Sequence, residues 1–209
     1  MAQYFNIHPT HPQHRLIAQA AHIVRDGGVI AYPTDSCYAL GCHTGDKAAM
    51  ERMRRIRQVD DKHHLTLLCR DLSEIAAFAR VDNAQYRLLK RLTPGSYTFI
   101  LEATRELPRR ILHRRRKTIG IRVPDHAVAH ALLVELGEPL LSTTAILPDD
   151  ESPATDGLEL RERVQHDIDL VLDCGPCGLL PTTVIDLTGA QPVVLRRGKG
   201  AVTEAELQG

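Results

Sequence analysis

Hydroxyl side chains gather at the ends of several apolar segments. Thr34 follows the apolar run 29–32, residues 142–144 end a second run, and Thr182 and Thr183 begin a third. In open α/β sheets, ligands bind outside the ends of strands, where hydroxyls and free backbone N–H groups suit a phosphate or a carboxylate. Each threonine alone is typical of an ordinary turn or strand. The clusters together favour an anion site without identifying the anion.

One charged residue interrupts the apolar segment 118–123, where Arg122 lies among residues typical of a buried strand. A buried guanidinium without an anionic partner is costly. Its planar fork suits a carboxylate, which would make Arg122 a ligand-binding residue. An internal ion pair explains the same pattern equally well, so both interpretations stay open.

Cys174 and Cys177 enclose Gly175-Pro176, which is the spacing found at thioredoxin-like redox sites. Redox activity in that setting needs the first cysteine at a helix N-terminus, where its pKa falls. Residues 178–181 make a poor helix start. We therefore predict a pair of incidental thiols, with a redox site as the less favoured alternative.

Two basic clusters occur in a chain whose formal net charge is zero. One occupies residues 52–57. The other occupies residues 109–117 and supplies the predicted RNA contacts Arg109, Arg110, Arg114, Arg115, Arg116 and Lys117. Such local fields attract RNA or a polyphosphate, although a charged run is more often a solvated face.

Other common catalytic patterns are absent from the sequence. It has no Gly-rich P-loop and no G-x-G-x-x-G, G-x-S-x-G or H-E-x-x-H motif, so no covalent nucleophile is indicated. His8, His11 and His14 recur every three residues, but prolines interrupt them. We predict surface histidines and no metal site. The five cysteines lack a disulfide-framework spacing, which predicts reduced thiols.

The elements that must position these side chains alternate along the chain. Asp71 and Glu74 form a predicted capping box at the start of one short helix. Helical periodicity also covers residues 16–24, 46–57, 86–92 and 128–136. Short apolar runs between them predict strands. The pattern indicates an α/β fold with helices on both sides of a sheet, and residues 148–157 are predicted to form a surface loop.

Composition bounds the class of protein. The chain has 209 residues, 43% of them hydrophobic and 25% charged, which predicts a single domain over residues 1–209. The start has no basic region followed by a long apolar run, so no secretory signal is predicted. No window of about 18 apolar residues is present, so no membrane span is predicted. We expect a cytoplasmic protein.

Several segments, taken in order, resemble the YrdC/YciO family from about residue 16 to 202. They are residues 32–41, Pro94-Gly95 with Thr98, 120–124, 142–144, 181–186 and 195–198. Each segment is weak alone, and together they are specific. The resemblance implies a single YrdC-like domain, with its core at about residues 14–202. Its fold would be a twisted mixed β-sheet with flanking helices and a concave basic cleft.

The best-known activity of that family joins L-threonine, bicarbonate and ATP into threonylcarbamoyl-AMP and pyrophosphate, for modification of a tRNA adenosine. The resemblance therefore implies ATP as a substrate with Mg²⁺, and no tightly bound cofactor. Implied partners are ATP or AMP, L-threonine, and tRNA or double-stranded RNA. By resemblance, Thr34, Tyr38 and Arg122 would frame the threonine. The implied nucleotide-binding residues are Arg57, Lys62, Ser142, Thr144, Thr182, Thr183 and Arg196.

The sequence departs from the synthase pattern at two places. The synthases carry Lys-x-Arg after the second helix, where this chain has Arg57-Gln58-Val59. They also carry Ser-x-Asn, where this chain has Thr144-Ala145-Ile146. The flanking residues resemble the YciO branch of the family. We expect weak or altered threonylcarbamoyl chemistry, and the alternative is a non-catalytic module that binds double-stranded RNA or tRNA.

Overall fold

The computed structural model of the protein describes residues 1–60, 63, 65–108, 111–112 and 117–208. The strands in these ranges are β1 (Gln3–Asn6), β2 (Ile30–Tyr32), β3 (Ala39–His43), β4 (Thr66–Leu68), β5 (Tyr97–Glu102), β6 (Thr118–Arg122), β7 (Leu140–Thr144), β8 (Leu170–Asp173), β9 (Thr183–Asp186) and β10 (Val193–Arg196). The helices are α1 (His14–Arg25), α2 (Lys47–Arg57), α3 (Leu72–Phe78), α4 (Asn83–Leu92), α5 (Ala127–Leu136), α6 (Gly157–Val164) and α7 (Glu204–Gln208).

Within the described ranges, all ten strands join one sheet in the order β1-β8-β2-β3-β7-β4-β6-β5-β9-β10. The pairs β1–β8, β2–β8, β4–β6 and β5–β9 are parallel. The other neighbouring strands pair antiparallel. The predicted α/β class with a mixed sheet and flanking helices is confirmed.

The two faces of the sheet are covered differently. On one face, helices α2, α3 and α4 contribute Met53, Ile75 and Leu89 to a core that also includes residues of β5, β6 and β9. On the other face, α1 and α5 pack on each other and on β2 and β8, with Ile17 and Leu132 at the centre. Among the described residues, β5, β6, β9 and β10 contribute nothing to this second core. The face of these four strands that lies away from α2, α3 and α4 is therefore open. The sequence predicts helices on both sides of the whole sheet, but only the other half of the sheet is covered on both sides.

Side-chain caps set the starts of several helices, and one predicted cap is only half right. The Asp71 carboxylate accepts a hydrogen bond from the Glu74 backbone N–H at 2.9 Å, as predicted. The Glu74 carboxylate, however, accepts from the backbone of Arg70 at 2.6 Å instead of closing the box on Asp71. A complete capping box opens α4 instead, where Asp82 and Gln85 satisfy each other's backbone N–H groups.

The predicted loop at residues 148–157 lies between β7 and α6, and only its last residue, Gly157, is helical. Asp156 ends the loop as the N-cap of α6, since its carboxylate accepts from the backbone of Leu158 and Glu159 at 2.8 Å each. Within the described part of the chain, no helix combines the length and apolar character needed to cross a membrane.

Candidate functional site

A cavity of about 410 Å³ lies on the open face of the sheet. Its floor is made by alternate residues of neighbouring strands, because successive side chains of a strand point to opposite faces. On β6 these are Thr118, Gly120 and Arg122, and on β9 they are Val184 and Asp186. The alternate residues of the other floor strands are Thr66 and Leu68 of β4, Thr98 and Ile100 of β5, and Ser142 and Thr144 of β7.

This cleft is continuous with the face that α1 and α5 cover. Ala39 and Leu68 belong both to the core beneath those helices and to the cavity wall. Gly120 has no side chain to fill the middle of the cavity floor. A Cβ added there would lie 3.3 Å from a methyl carbon of Thr98 and 3.4 Å from the Thr66 hydroxyl. The site thus lies across the face of the strands, rather than outside their ends as the sequence predicts.

Arg57 reaches the cleft from the last residue of α2, which ends there because Gln58 adopts a left-handed conformation with φ 48°. Its guanidinium donates to the backbone carbonyl of Ile146, another residue of the wall. The Arg57 Nε atom is buried and has no hydrogen-bond partner among the described residues. Burial lowers the pKa of Arg57, because desolvation disfavours its charged form.

Arg196 approaches from the opposite wall, on the edge strand β10. Its Nε and Nη2 atoms donate to the Thr182 backbone carbonyl at 3.2 and 3.0 Å. Although its outer side is open to solvent, desolvation at the cleft wall lowers its pKa. Within the described ranges, neither Arg57 nor Arg196 has a carboxylate at ion-pair distance.

Arg122 forms the internal ion pair that one interpretation expects, and its ligand-binding role stays a prediction. Its guanidinium forms an ion pair with the Asp35 carboxylate and also lines the cavity. The same Nη2 atom lies 3.4 Å from the Thr34 hydroxyl, and the Arg122 Nε is buried without a partner in the described part of the chain. Asp35 accepts a second hydrogen bond, from the Ser96 hydroxyl at 2.5 Å.

Paired hydroxyl groups line much of the remaining wall. Thr98 and Thr182 share a hydrogen bond of 2.8 Å between their hydroxyl oxygens. The Ser142 hydroxyl lies 2.6 Å from the hydroxyl of Tyr32, a fully buried side chain. The Thr34 hydroxyl donates to the backbone carbonyl of Cys37 at 2.7 Å. These pairs leave lone pairs and rotatable protons available to a polar ligand.

The structure brings together most of the predicted ligand-binding residues, with two exceptions among those it describes. The lining includes Thr34, Arg57, Arg122, Ser142, Thr144, Thr182 and Arg196. Tyr38 does not line the cavity, because its hydroxyl donates to Asp173 at 2.7 Å and to Gly175 at 2.9 Å on the other face. The fully buried Thr183 donates instead to the Gly200 carbonyl at 2.6 Å.

Several predicted residues fall outside the described ranges. Lys62 is one of them, and the others are Arg109, Arg110, Arg114, Arg115 and Arg116 of the basic segment. Lys117, the last residue of that segment, is exposed and does not line the cleft. The predicted RNA contacts therefore stay a prediction.

The sequence argument missed four polar residues that occur singly. Thr66, Thr118 and Asp186 lie in short strands and His63 precedes β4, and all four line the cleft. The available signal was the period-two pattern of β6 and β9, which places Thr118 on the face of Arg122 and Asp186 on the face of Val184. Asp186 is the one carboxylate among the described lining residues, and its Oδ1 accepts from the backbone and hydroxyl of Thr188 at 2.9 and 2.7 Å.

Three arginines against one carboxylate make the described lining positive, which suits a polyanionic ligand. No group of three His, Cys, Asp or Glu side chains with metal-binding geometry occurs in the ranges that the structure describes. The arrangement can bind anions, orient hydroxyl-bearing ligands and stabilise developing negative charge.

Comparisons with known proteins agree with this fold. The family model Sua5_yciO_yrdC, described as "Telomere recombination", matches residues 22–198. The Escherichia coli (strain K12) protein YciO, described as uncharacterised, is 56% identical over 202 residues, which are 97% of this chain and 98% of YciO. The crystal structure of E. coli YciO matches with a TM-score of 0.94 over 97% of this chain and 98% of that one.

Threonylcarbamoyl-AMP synthases are more distant relatives. The synthase of Chromobacterium violaceum is 40% identical over 138 residues, which are 66% of this chain and 71% of the synthase. The crystal structure of P. abyssi Sua5 complexed with L-threonine matches with a TM-score of 0.86 at 26% identity, over 93% of this chain and 57% of Sua5. The matched family model and these relatives confirm the resemblance, and the chain belongs to the Sua5/YciO/YrdC family.

Proposed function

We propose that the cleft binds a nucleotide together with an amino-acid carboxylate, and that the protein acts in threonylcarbamoyl-AMP chemistry with a weak or altered activity. The observation that carries this proposal is Arg57. Its partly buried guanidinium faces the cleft and has no carboxylate partner in the described ranges. An unpaired charge at such a place is costly unless a ligand supplies the opposite charge.

The nucleotide end of the cleft lies between Arg57 and Arg196. Arg57 contacts Ile146 after β7 and Arg196 contacts Thr182 before β9, and the hydroxyls of Ser142, Thr144 and Thr182 belong to the same lining. Charge-assisted hydrogen bonds from arginine to phosphate are roughly twice as strong as neutral ones. The pair therefore suits a phosphate chain that enters along the floor of the sheet.

The amino-acid end lies at Thr34 and Arg122. A carboxylate there would share the Arg122 fork with Asp35, and the Thr34 hydroxyl would contact the amino-acid side chain or its carboxylate. The complex of the related Sua5 with L-threonine supports threonine as this ligand. The hydroxyls of Tyr38 and Thr183 are hydrogen-bonded elsewhere, so neither residue belongs to the proposed binding site.

The chemistry requires positioning more than a catalytic side chain. Threonine and bicarbonate give a carbamate and water, and the carbamate oxygen is already nucleophilic. That oxygen attacks the α-phosphorus of ATP, the bond to the bridging oxygen of the β-phosphate breaks, and pyrophosphate leaves. Arg57 and Arg196 would offset the charge that develops on the phosphate oxygens, and each such donor is typically worth about 100- to 1,000-fold in rate.

Mg²⁺ fits this site as a companion of ATP. It is commonly held by one or two carboxylates together with substrate phosphates. Asp186 is the carboxylate that the described lining offers, so it is the residue that would contact the ion. When bound, the ion would neutralise part of the charge of the phosphates.

The aliphatic departure at Ile146 is the reason for expecting a weak activity. Ile146 lines the cavity, at a place where the synthases carry asparagine. Losing one polar contact from a phosphoryl-transfer site lowers the rate, whereas the remaining arginines still favour a bound phosphate. We therefore expect AMP-like ligands to be retained better than ATP is turned over.

The test measures pyrophosphate release by the full chain with ATP, and then with threonine and bicarbonate each left out. Release that depends on both, together with AMP binding by calorimetry, is the expected result. Arg57→Ala should abolish most of it, and Arg55→Ala is the matched control, because Arg55 is an exposed residue of the same helix outside the lining. Absence of both activity and nucleotide binding would overturn the proposal.

The alternative function is a non-catalytic RNA-binding module. Measuring RNA affinity at increasing salt concentration distinguishes it from the proposed function. If the basic segment 109–117 neutralises about four phosphates of a double-stranded RNA, log affinity should fall with log salt at a slope of roughly −3 to −4. RNA binding of that kind without threonine-dependent pyrophosphate release would favour the alternative.

A further inference from the structure

Cys174 and Cys177 lie immediately after β8, on the opposite side of Thr34 from the cleft. Both are partly exposed, whereas Cys37, Cys42 and Cys69 are buried. A second surface pocket of about 600 Å³ is lined by both thiols and by Thr34. A small molecule can therefore reach this pair without entering the cleft.

A histidine from a distant element faces the first thiol. The Cys174 Sγ lies 3.9 Å from Nε2 of His126, the N-cap residue of α5. His126 Nδ1 is buried and has no hydrogen-bond partner in the described part of the chain. The sequence argument against a redox site was the lack of a helix starting at Cys174, and no helix starts there. The structure supplies the His126 ring instead.

The turn between the two cysteines is held on both sides. Gly175 has φ +97°, which a glycine adopts without strain, and its N–H donates to the Asp173 carboxylate at 2.8 Å. Its carbonyl accepts from the Tyr38 hydroxyl at 2.9 Å. This fixed turn places both cysteines in the lining of one surface pocket. They are separated by two residues, as in the C-x-x-C pairs that close a disulfide.

We propose that Cys174 and Cys177 form a thiol–disulfide exchange site, in which Cys174 is the attacking thiolate and Cys177 is the resolving thiol. The co-reactant is a low-molecular-weight disulfide. The site is chemically separate from the anion cleft.

The exchange proceeds in two balanced steps. The Cys174 thiolate attacks one sulfur of the small disulfide, which forms a mixed disulfide and releases one small thiolate. Cys177 then loses its proton to solvent and attacks the Cys174 sulfur, which forms the Cys174–Cys177 bond and releases the second small thiolate. From its thiolate–thiol form the protein gives up two electrons and one proton, and the small disulfide becomes two thiolates, which take up protons from solvent.

The electrostatics of the pair support this division of roles. The hydrogen bond from Cys177, with a contribution from His126, lowers the pKa of Cys174 to about 5. Donating that hydrogen bond raises the pKa of Cys177. Burial raises the pKa of Cys37, Cys42 and Cys69, so these thiols are unreactive by comparison.

Disulfide formation is expected to alter the nearby wall of the cleft. Thr34 and Cys177 line the same surface pocket, and Gly178 packs so closely on Ser36 that an added Cβ would lie 2.6 Å from the Ser36 carbonyl oxygen. Moving Cys177 toward Cys174 would therefore change the packing beside Thr34. This consequence, unlike the exchange itself, rests on the proposed function of the cleft.

The test treats the full-length reduced protein with oxidised glutathione and maps its thiols by mass spectrometry. The expected product has lost two hydrogen atoms and contains a linked Cys174–Cys177 peptide, with the buried cysteines unmodified as internal controls. Cys177→Ser should trap glutathione on Cys174, and Cys174→Ser should not trap it on Cys177. No linked peptide, or equal trapping by the two variants, would overturn the exchange site.

Circular dichroism and melting curves of each variant check that the comparison is made between folded proteins. AMP affinity is then measured for the reduced and oxidised forms, and a loss of affinity on oxidation is expected. Equal affinity in the two forms would overturn the coupling to the cleft. If neither form binds AMP, the proposed function of the cleft fails, and the peptide map still decides the exchange site.

Discussion

The Arg122 guanidinium on β6 is paired with the Asp35 carboxylate, and these side chains expose only 8% and 10% of their surfaces. Asp35 is further held by the Ser96 hydroxyl at 2.5 Å, and Lys199 donates to its backbone carbonyl. The charge of Arg122 is therefore balanced within the protein, in contrast to that of Arg57. A ligand carboxylate at Arg122 must share the guanidinium with Asp35, so this pair affects both stability and binding.

Removing one partner of the pair should destabilise the protein more than removing both. Asp35→Ala leaves a buried guanidinium without a counter-charge, and such changes typically cost about 3–5 kcal/mol. We expect Arg122→Ala to be costly too, and the double variant Asp35→Ala with Arg122→Ala to cost less than the sum of its single changes. Denaturant unfolding of the four proteins in this cycle measures the coupling. Additive free energies of unfolding would show that the two residues do not act as a pair.

Unlike changes to the Arg122–Asp35 pair, Arg57→Ala should affect nucleotide binding more than stability. Its charge is desolvated without a carboxylate partner in the described ranges, so its removal should leave the free energy of unfolding little changed. Nucleotide affinity should fall about tenfold or more, which corresponds to roughly 1.4 kcal/mol. Calorimetry with AMP and ATP measures it, and Arg55→Ala on the exposed side of α2 is the control. Equal loss of affinity in both variants would indicate a general field effect of the helix instead of a contact in the cleft.

Much of the site could be predicted because some of its residues break a local rule. Arg122 interrupts an apolar strand, and Ser142 and Thr182 lie where hydroxyls meet apolar runs. The cleft itself could not be located, because it depends on which strands are neighbours. β4 pairs with β6 and β7 instead of with its sequence neighbours β3 and β5, and this order brings Thr66 beside Gly120. A single threonine in a three-residue strand breaks no local pattern, so the sequence does not mark Thr66 as a residue of the cleft.

The choice between the two interpretations of Arg122 was also beyond the sequence. Asp35 precedes it by 87 residues, and their contact depends on the fold that joins the loop after β2 to the end of β6. The Cys174 environment has the same origin, since His126 reaches it from the start of α5. Charge compensation and thiol activation are tertiary properties, whereas apolar periodicity and caps are local ones.

Cys174 should react as a thiolate well below neutral pH. The Cys177 thiol and the His126 ring lower its pKa to about 5, against the opposing charge of Asp173. Iodoacetamide should therefore modify Cys174 at a nearly constant rate from about pH 6 to 8, whereas an ordinary thiol slows about a hundredfold on going down that range. Alkylation of each cysteine is followed by mass spectrometry. Cys177→Ala removes the main donor and should move the inflection upward.

The same shift has a consequence for stability. Because the pKa of Cys174 is lower in the folded state, its thiolate stabilises the fold fully above the unfolded pKa of about 8.5, and the contribution disappears as the pH falls through about 5. Cys174→Ser should thus be more destabilising at pH 8 than at pH 5. An equal effect at both pH values, or an alkylation profile like that of a free thiol, would contradict the lowered pKa.

The two departures from the synthase pattern should differ in their effect on activity. Ile146 lines the cleft and its carbonyl holds Arg57, whereas Val59 is absent from the described lining and its N–H donates to the Arg54 carbonyl at 3.1 Å. We predict that Ile146→Asn raises the rate of threonylcarbamoyl-AMP formation by about tenfold, since one added hydrogen bond in the transition state is worth roughly 1.4 kcal/mol. Val59→Arg alone should change little.

The measurement is product formation from ATP, threonine and bicarbonate by the parent, both single variants and the double variant. Ile146→Leu is the matched control, because it keeps an apolar side chain of the same size at the wall and should not raise the rate. A gain from Val59→Arg instead would mean that residue 59 reaches the phosphates once a ligand is bound. If no variant gains activity while AMP still binds, the cleft serves a different reaction of a bound nucleotide, since the binding residues would be intact and the missing asparagine would not be what limits the synthesis.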